Sequence, residues 1–470
     1  MKDLKIFLKQ TVYYGLSSVI ARVLNFLLVP LYTYVFIPEQ YGIISEMYAY
    51  AVFIMILSTL SIETAFFKFS NKPTIKDNVA SNSSFLLLVS STILILLAIF
   101  FVDPISKIIG GTQFTDYRNY IFYFLIILSV DTLCVIPFAQ LRLKERARRF
   151  ATVKVINILV NILFNLYFYL YLGYTKIDYV FISNLLSSIV TFLILAPSIN
   201  NFSFDLQLSK KMMKYSFPLI IAGFAYAVNE TADKILIKNL TNQNPLEQLG
   251  IYSACYKLSI FMILFIQAFR LAAEPLFFNY QKKTNSKKIY AQLMRFYFFI
   301  SMLLFLMISL NIDYLKLLIS DSSYHTGLHI IPIILLGHIC LGAYYNLSLW
   351  YKLTDQTKYG AYISIFGCII TLSVNIIFLP TYGYISAAWA TFLCYISMML
   401  ISFFLGKKKY PIPYNVKSIC LYIILALVIF CMHQFYSYTG ILSSIILIGI
   451  YIICVIFIEG WYKKLKLVIK

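Results

Sequence analysis

Charge is what this sequence has least of, and negative charge least of all. Only 12% of its 470 residues are charged, and 19 carboxylates face 39 lysines and arginines. A soluble domain carries about a quarter of its residues as charge, so this chain cannot solvate a surface of its size. Cysteine is sparse as well. The eight cysteines, from Cys134 to Cys454, all fall inside apolar runs and none forms a C-x-x-C pair. They are expected to be buried thiols acting as small hydrophobes, which leaves no disulfide framework and no metal cluster. A Gly-rich phosphate loop ending in Gly-Lys-Ser/Thr is missing too, and with it nucleotide hydrolysis.

What is present is apolar surface. Hydrophobic residues make up 61% of the chain and the mean hydropathy is +0.81. They fall in runs of about twenty, the length that crosses a ~30 Å hydrocarbon core as a helix. A closed barrel is the other way across a membrane, but it needs strands alternating over about ten residues, and these runs are continuous. The reading is an all-α polytopic membrane protein. Fourteen spans are expected near 11–36, 41–67, 80–102, 119–141, 151–172, 178–197, 212–237, 249–275, 290–311, 327–349, 360–379, 384–405, 418–435 and 440–458. The first run is too long for the apolar segment of a signal peptide and no small-residue cleavage site follows it, so it is expected to be retained.

The net charge of +20 would suggest nucleic acid in a soluble protein. Here the positive-inside rule accounts for it. With the N-terminus in the cytoplasm and the spans alternating, cytoplasmic segments hold thirty basic residues, while outer segments hold five: Lys107, Arg118, Lys176, Lys238 and Lys316. This places both ends in the cytoplasm of a bacterial-type inner membrane. It makes membrane lipid, and no nucleic acid, the expected surroundings.

The chain also repeats. Glu39-Gln-Tyr-Gly-Ile-Ile-Ser-Glu-Met-Tyr48 and Glu247-Gln-Leu-Gly-Ile-Tyr-Ser-Ala-Cys-Tyr256 share six of ten positions, 208 residues apart. Val160-Asn-Ile-Leu-Phe164 and Val374-Asn-Ile-Ile-Phe378 echo each other as well. Both offsets span six helices, an even number, which gives a parallel repeat of the kind whose halves place substrate between them near the midplane. The expected division is an N-lobe at 1–200, a C-lobe at 201–409 and two accessory spans at 410–470.

An ionisable group inside a span costs ~2.5–3.5 kcal/mol on insertion scales and so marks function or a partner. Glu230 and Lys234, and Arg270 and Glu274, stand four apart and have a local reason as helix pairs; Glu63 and Lys68 can reach headgroups. Arg22, Glu46, Asp131 and Lys257 lack an opposite charge at three or four residues and must pair across helices or face water. Arg22 belongs to a polar stripe, Ser18, Arg22, Asn25 and Tyr32; Tyr226, Glu230 and Asp233 form another, Gln267, Arg270 and Glu274 a third, and Asn157, Asn161 and Asn165 a ladder on one face. The ladder suits helix–helix hydrogen bonding, whereas Arg22 and Lys257 suit a cavity. Cationic cavity walls suit an anionic solute, since guanidinium matches phosphate as a planar fork. Buried carboxylates suit H+ or Na+ exchange, with Glu46, Asp131, Glu230 and Asp233 as candidates. Pro30, Pro137, Pro218 and Pro275 are expected to kink their spans. His325, His329 and His338 cluster without a nearby carboxylate or Cys, too weak a pattern for a metal site.

Several segments resemble a known family. Tyr14-Gly-Leu-Ser-Ser18, Ala21-Arg-Val-Leu-Asn-Phe26, Val29-Pro-Leu-Tyr-Thr33 and Pro38-Glu-Gln-Tyr-Gly42 are similar to the opening of polysaccharide-unit flippases of the Wzx type. Ile62–Ser70, Leu141–Phe150 and Ala268–Phe277 resemble that family as well. The resemblance implies two six-helix lobes of the MATE-like (MOP) exporter fold, opening alternately to either side. It also implies transfer of an undecaprenyl-diphosphate-linked oligosaccharide from the cytoplasmic to the periplasmic leaflet, for O-antigen, capsule or exopolysaccharide synthesis, with a polysaccharide polymerase as possible partner. Arg22 falls where that family carries a first-span arginine and inherits diphosphate binding, with Asn25, Lys257 and Arg270 as further substrate contacts. No enzyme activity is expected and no cofactor beyond a coupling H+ or Na+. The rival readings are a cation-coupled drug or metabolite exporter of the same superfamily and a lipid II flippase; a glycan polymerase or acyltransferase would need an outer loop or a His/Asp constellation that the sequence lacks.

Overall fold

A computed structural model describes residues 19–20, 22–70, 76–111, 114–198, 204–280, 285–354, 356–436 and 440–459. Among them there are helices and no strand, as a chain that must satisfy its backbone inside hydrocarbon requires. The chain divides into two compact units, Met1–Asn239 and Leu240–Lys470.

The first unit contains α1 (Arg22–Val35), α2 (Pro38–Thr59), α3 (Ile62–Ser70), α4 (Lys76–Phe100), α5 (Val102–Gly110), α6 (Phe114–Leu143), α7 (Ala147–Leu166), α8 (Asp178–Leu195) and α9 (Leu206–Leu240). Pro38 starts α2 at its first turn, where a missing N–H costs nothing. Asp205 caps α9 by accepting the N–H groups of Gln207 and Leu208 at 2.9 and 3.0 Å, offsetting two of the donors that a helix start leaves open. One core joins Ile62 and Phe66 of α3, Val79 and Leu87 of α4, Ile136 of α6 and Met212 of α9. A second joins Cys134 and Phe138 of α6 to Val153 of α7 and Leu195 of α8.

The second unit contains α10 (Pro245–Leu258), α11 (Ile260–Tyr280), α12 (Ser286–Ser309), α13 (Ile331–Leu347), α14 (Lys358–Tyr382), α15 (Tyr384–Lys409), α16 (Val416–Tyr436) and α17 (Ile441–Glu459). Its core gathers Tyr344, Trp350, Ile363, Tyr395 and Met398. The last two helices dock on α12: Arg295 pairs with Glu459 at 2.9 Å, Tyr422 donates to the same carboxylate, and Ser444 donates to the Leu310 carbonyl at 3.2 Å.

Eleven described helices are long and apolar enough to cross a membrane, or twelve if the pair α10 and α11, bent by 46°, is one span. The protein is a multi-pass membrane protein, and the expected count of fourteen is not reached by this measure. The two remaining helices are identifiable. The first expected span lies partly outside the described residues, and Arg22–Val35 is its described helix. The seventh corresponds to α9, 35 residues long, whose polar residues dilute its apolar content.

Three features differ from expectation. The chain breaks inside two expected spans, at Leu60 and Ser61, both at positive φ, and at Ser259, between α10 and α11. Cys420 and Cys431 are exposed rather than buried, on an α16 whose apolar flank faces outward. The contact boundary falls at 239/240, whereas the repeat suggested 200/201. Contact and duplication are different criteria, and α9 meets the first through partners for Ser209, Met212 and Lys238 in the first unit.

Candidate functional site

Arg22 and Asn25 are three residues apart on α1 and both are exposed. Among the described residues no carboxylate lies within ion-pair distance of Arg22. The stripe expected to run on to Tyr32 does not hold together. Ser18 lies outside the described residues, and Tyr32 is buried, donating to Asn165 Oδ1 at 2.9 Å. That bond and those of Asn157 to the Ser187 carbonyl and Thr191 Oγ1, at 3.1 and 2.8 Å, turn the asparagine ladder into helix–helix cross-links.

In the second unit Lys257 is exposed two residues before the break at Ser259, and Arg270 is exposed on α11. The Arg270 guanidinium lies 5.1 Å from the Tyr345 ring centre, a cation–π contact. The Glu274 side chain lies outside the described set.

The candidate carboxylates are dispersed. Glu46 is fully buried. Lys238 Nζ sits 2.6 Å from its Oε1, and the Tyr117 hydroxyl donates to its Oε2 at 2.7 Å. Lys238 also donates to the Ile109 carbonyl and lies over the Tyr117 ring at 4.7 Å. Four elements, α2, α5, α6 and α9, thus meet at one ion pair. Asp131 on α6 is half-buried; it accepts from Ser188 of α8 and feels the charge of Lys154 on α7. On α9, Glu230 is half-buried and Asp233 buried, and Asp233 Oδ1 accepts its neighbour's N–H at 2.9 Å. No group of three or more His, Cys, Asp or Glu converges among the described residues. His325 and His329 contact the Ile319 and Thr326 carbonyls, and His338 contacts Tyr256.

Two corrections follow. Lys238 was expected to be an outer-loop charge, yet its side chain is only 14% exposed. Glu63 pairs with Arg142 of α6, a partner not expected from the sequence. Sequence reasoning missed Lys238 and Tyr117 as partners of Glu46. A trace of the first was there: Glu230, Lys234 and Lys238 lie four apart, so one face of α9 continues past the end assigned by hydropathy.

The fold is similar to that of solved MOP-superfamily transporters. The lipid II flippase MurJ in its inward closed conformation superposes with a TM-score of 0.73 over 97% of this chain and 99% of that one, at 17% identity. An inward-facing multidrug resistance MATE family transporter gives 0.68 over 85% and 94%, at 14% identity. A MOP superfamily transporter from Pyrococcus furiosus gives 0.57 over 85% and 95%, at 15% identity. No curated protein sequence matches the chain. Residues 7–281 match the family described as polysaccharide biosynthesis protein, and the chain belongs to that family. The likeness to polysaccharide-unit flippases seen in the sequence holds at the level of family and fold.

Proposed function

We propose that this protein flips a polyprenyl-diphosphate-linked oligosaccharide from the cytoplasmic to the outer leaflet of a bacterial inner membrane, with both chain ends in the cytoplasm. The observation that carries the reading is Arg22, an exposed guanidinium on an apolar helix with no carboxylate in ion-pair distance among the described residues. Such a charge is costly in a span, and a diphosphate offsets that cost with paired charge-assisted hydrogen bonds. Asn25 adds an amide on the same stretch of α1. The family, described by polysaccharide biosynthesis, supports a lipid-linked glycan as cargo.

Coupling to H+ or Na+ falls in this reading to Asp131, Glu230 or Asp233. Glu46 would first have to release both Lys238 and Tyr117. A polymerase that consumes the flipped unit is the natural partner.

The test is a strain lacking the gene, complemented with Arg22→Ala at normal expression. Flux should fall roughly tenfold or more, the worth of a charge-assisted bond of about 1.5–3 kcal/mol, with lipid-linked glycan accumulating inside. Normal surface polysaccharide would sink the role of Arg22. The MATE likeness favours a second reading, a drug or metabolite exporter. There the deletion would cause drug sensitivity with glycan export intact.

A further inference from the structure

The first unit encloses a cavity of about 500 Å³, walled chiefly by α2, α4 and α6 and closed at one end by α5. The lining is apolar, with Ile54, Leu94, Ile121 and Phe124 as typical members. Its few polar groups are already spent. Ser90 Oγ donates to the Ser58 carbonyl at 2.7 Å, Thr132 bonds Ser58 Oγ at 2.9 Å, and the Tyr50 hydroxyl bonds Asn239. The closed end abuts the ion pair, because Ile109 both lines the cavity and gives its carbonyl to Lys238.

The side of the cavity opens outward. Leu57, Val89 and Ile93 line it and are also 51%, 44% and 53% exposed. All three belong to helices that cross the membrane, so hydrocarbon, not water, lies outside the mouth. The volume falls within the roughly 300–1,000 Å³ range of spaces that enclose a ligand. Left empty, walls of this kind forfeit their dispersion contacts. Walls that offer no free donor or acceptor exclude a sugar or a headgroup and accept a chain.

We propose that this cavity is an intramembrane site for one acyl chain of a membrane phospholipid, inserted sideways between α2 and α4 with its headgroup outside. The bulk bilayer presents such tails at the mouth continuously. A polyprenyl chain carries a methyl branch on every unit and is far longer, so only its end would enter. The site stands whether or not the flippase reading does.

The full-length protein in vesicles of phosphatidylethanolamine and phosphatidylglycerol, doped with a phosphatidylglycerol bearing a diazirine at the end of one acyl chain, is irradiated and its adducts are mapped by mass spectrometry. Adducts are expected at Ile54, Leu94 and Ile121, lost in Ala51→Phe, which fills the cavity, with adducts at the exposed Ile376 of α14 unchanged. Cavity labelling that is absent, or that survives Ala51→Phe, overturns the site. Should Ala51→Phe fail to fold, Leu94→Ala enlarges the space, and labelling at Ile54 and Ile121 must rise; no change there overturns it equally. Labelling of these positions by a photoactivatable polyprenyl phosphate and not by the phospholipid overturns the acyl assignment.

Discussion

Glu46 and Ala254 occupy the same place in the two copies of the repeated decapeptide, and both are fully buried. Around Glu46 the first unit builds a charged junction with Lys238, Tyr117 and the Ile109 carbonyl. At position 254 the second unit carries an uncharged side chain. Beside the Arg295–Glu459 pair, its buried polar contacts include neutral ones: Tyr256 to His338 at 3.0 Å, Trp350 to the Ser402 carbonyl at 3.1 Å and Tyr297 to the Ile339 carbonyl at 2.9 Å. The sequence carries thirteen carboxylates up to Asn239 and six beyond it, which makes neutral bonding the cheaper course for the second unit. Asn161 and Asn165 in one copy and Asn375 in the other show the same tendency. Asn165 bonds Tyr32 of another helix, whereas the Asn375 amide bonds Thr371 on its own helix. One ancestral packing scheme thus tolerates either ionic or neutral joints.

The largest expected effect tests the ionic joint. Lys238→Met leaves the Glu46 carboxylate buried without its cation and should destabilise the first unit by about 3–5 kcal/mol, the usual cost of breaking a buried pair by removing one partner. Glu46→Ala with Lys238→Met recreates the state at Ala254 and should recover most of that loss, since replacing both charges is often nearly neutral. Thermal unfolding of the single and double variants in the same detergent measures the difference. A double variant as unstable as the single would mean that the junction is needed for more than its charge balance.

Some of this was legible in the sequence and some was not. Run length alone marked most helices, because a span must be about twenty apolar residues whatever its neighbours. The breaks were not legible, since Leu60 favours a helix and single serines such as Ser61 and Ser259 recur throughout the apolar runs. Tyr32 has the spacing of the Arg22 stripe, but α1 turns at Leu27, and the face continues into the core. Lys238 was misplaced because hydropathy ends before the helix does. What each helix faces depends on tertiary contacts that periodicity does not encode.

A smaller effect tests whether the repeat retains equivalent bonds. Tyr48 and Tyr256 close the two decapeptides. Tyr48 accepts from Asn184 at 3.0 Å and Tyr256 meets His338 Nε2 at 3.0 Å. Tyr→Phe at either position removes one neutral hydrogen bond and should cost about 0.5–1.5 kcal/mol, read from denaturant midpoints. A loss several times larger at Tyr256 would show that the second unit concentrates its stability in the few polar bonds it has.

The smallest effect is expected at a second ion pair of the first unit, and it isolates burial as the variable. Arg118 Nε lies 2.6 Å from Asp103 Oδ1, the same separation as Lys238 and Glu46, but the two side chains are 55% and 63% exposed. Water and salt already stabilise both charges apart, and fixing two long side chains costs entropy. Arg118→Gln should therefore change stability by about 0–1 kcal/mol, less as ionic strength rises. Unfolding midpoints at low and high salt would show the change. If Arg118→Gln destabilised as much as Lys238→Met, separation alone would set the worth of an ion pair here. The contrast between the charged position 46 and the uncharged position 254 would then owe nothing to burial.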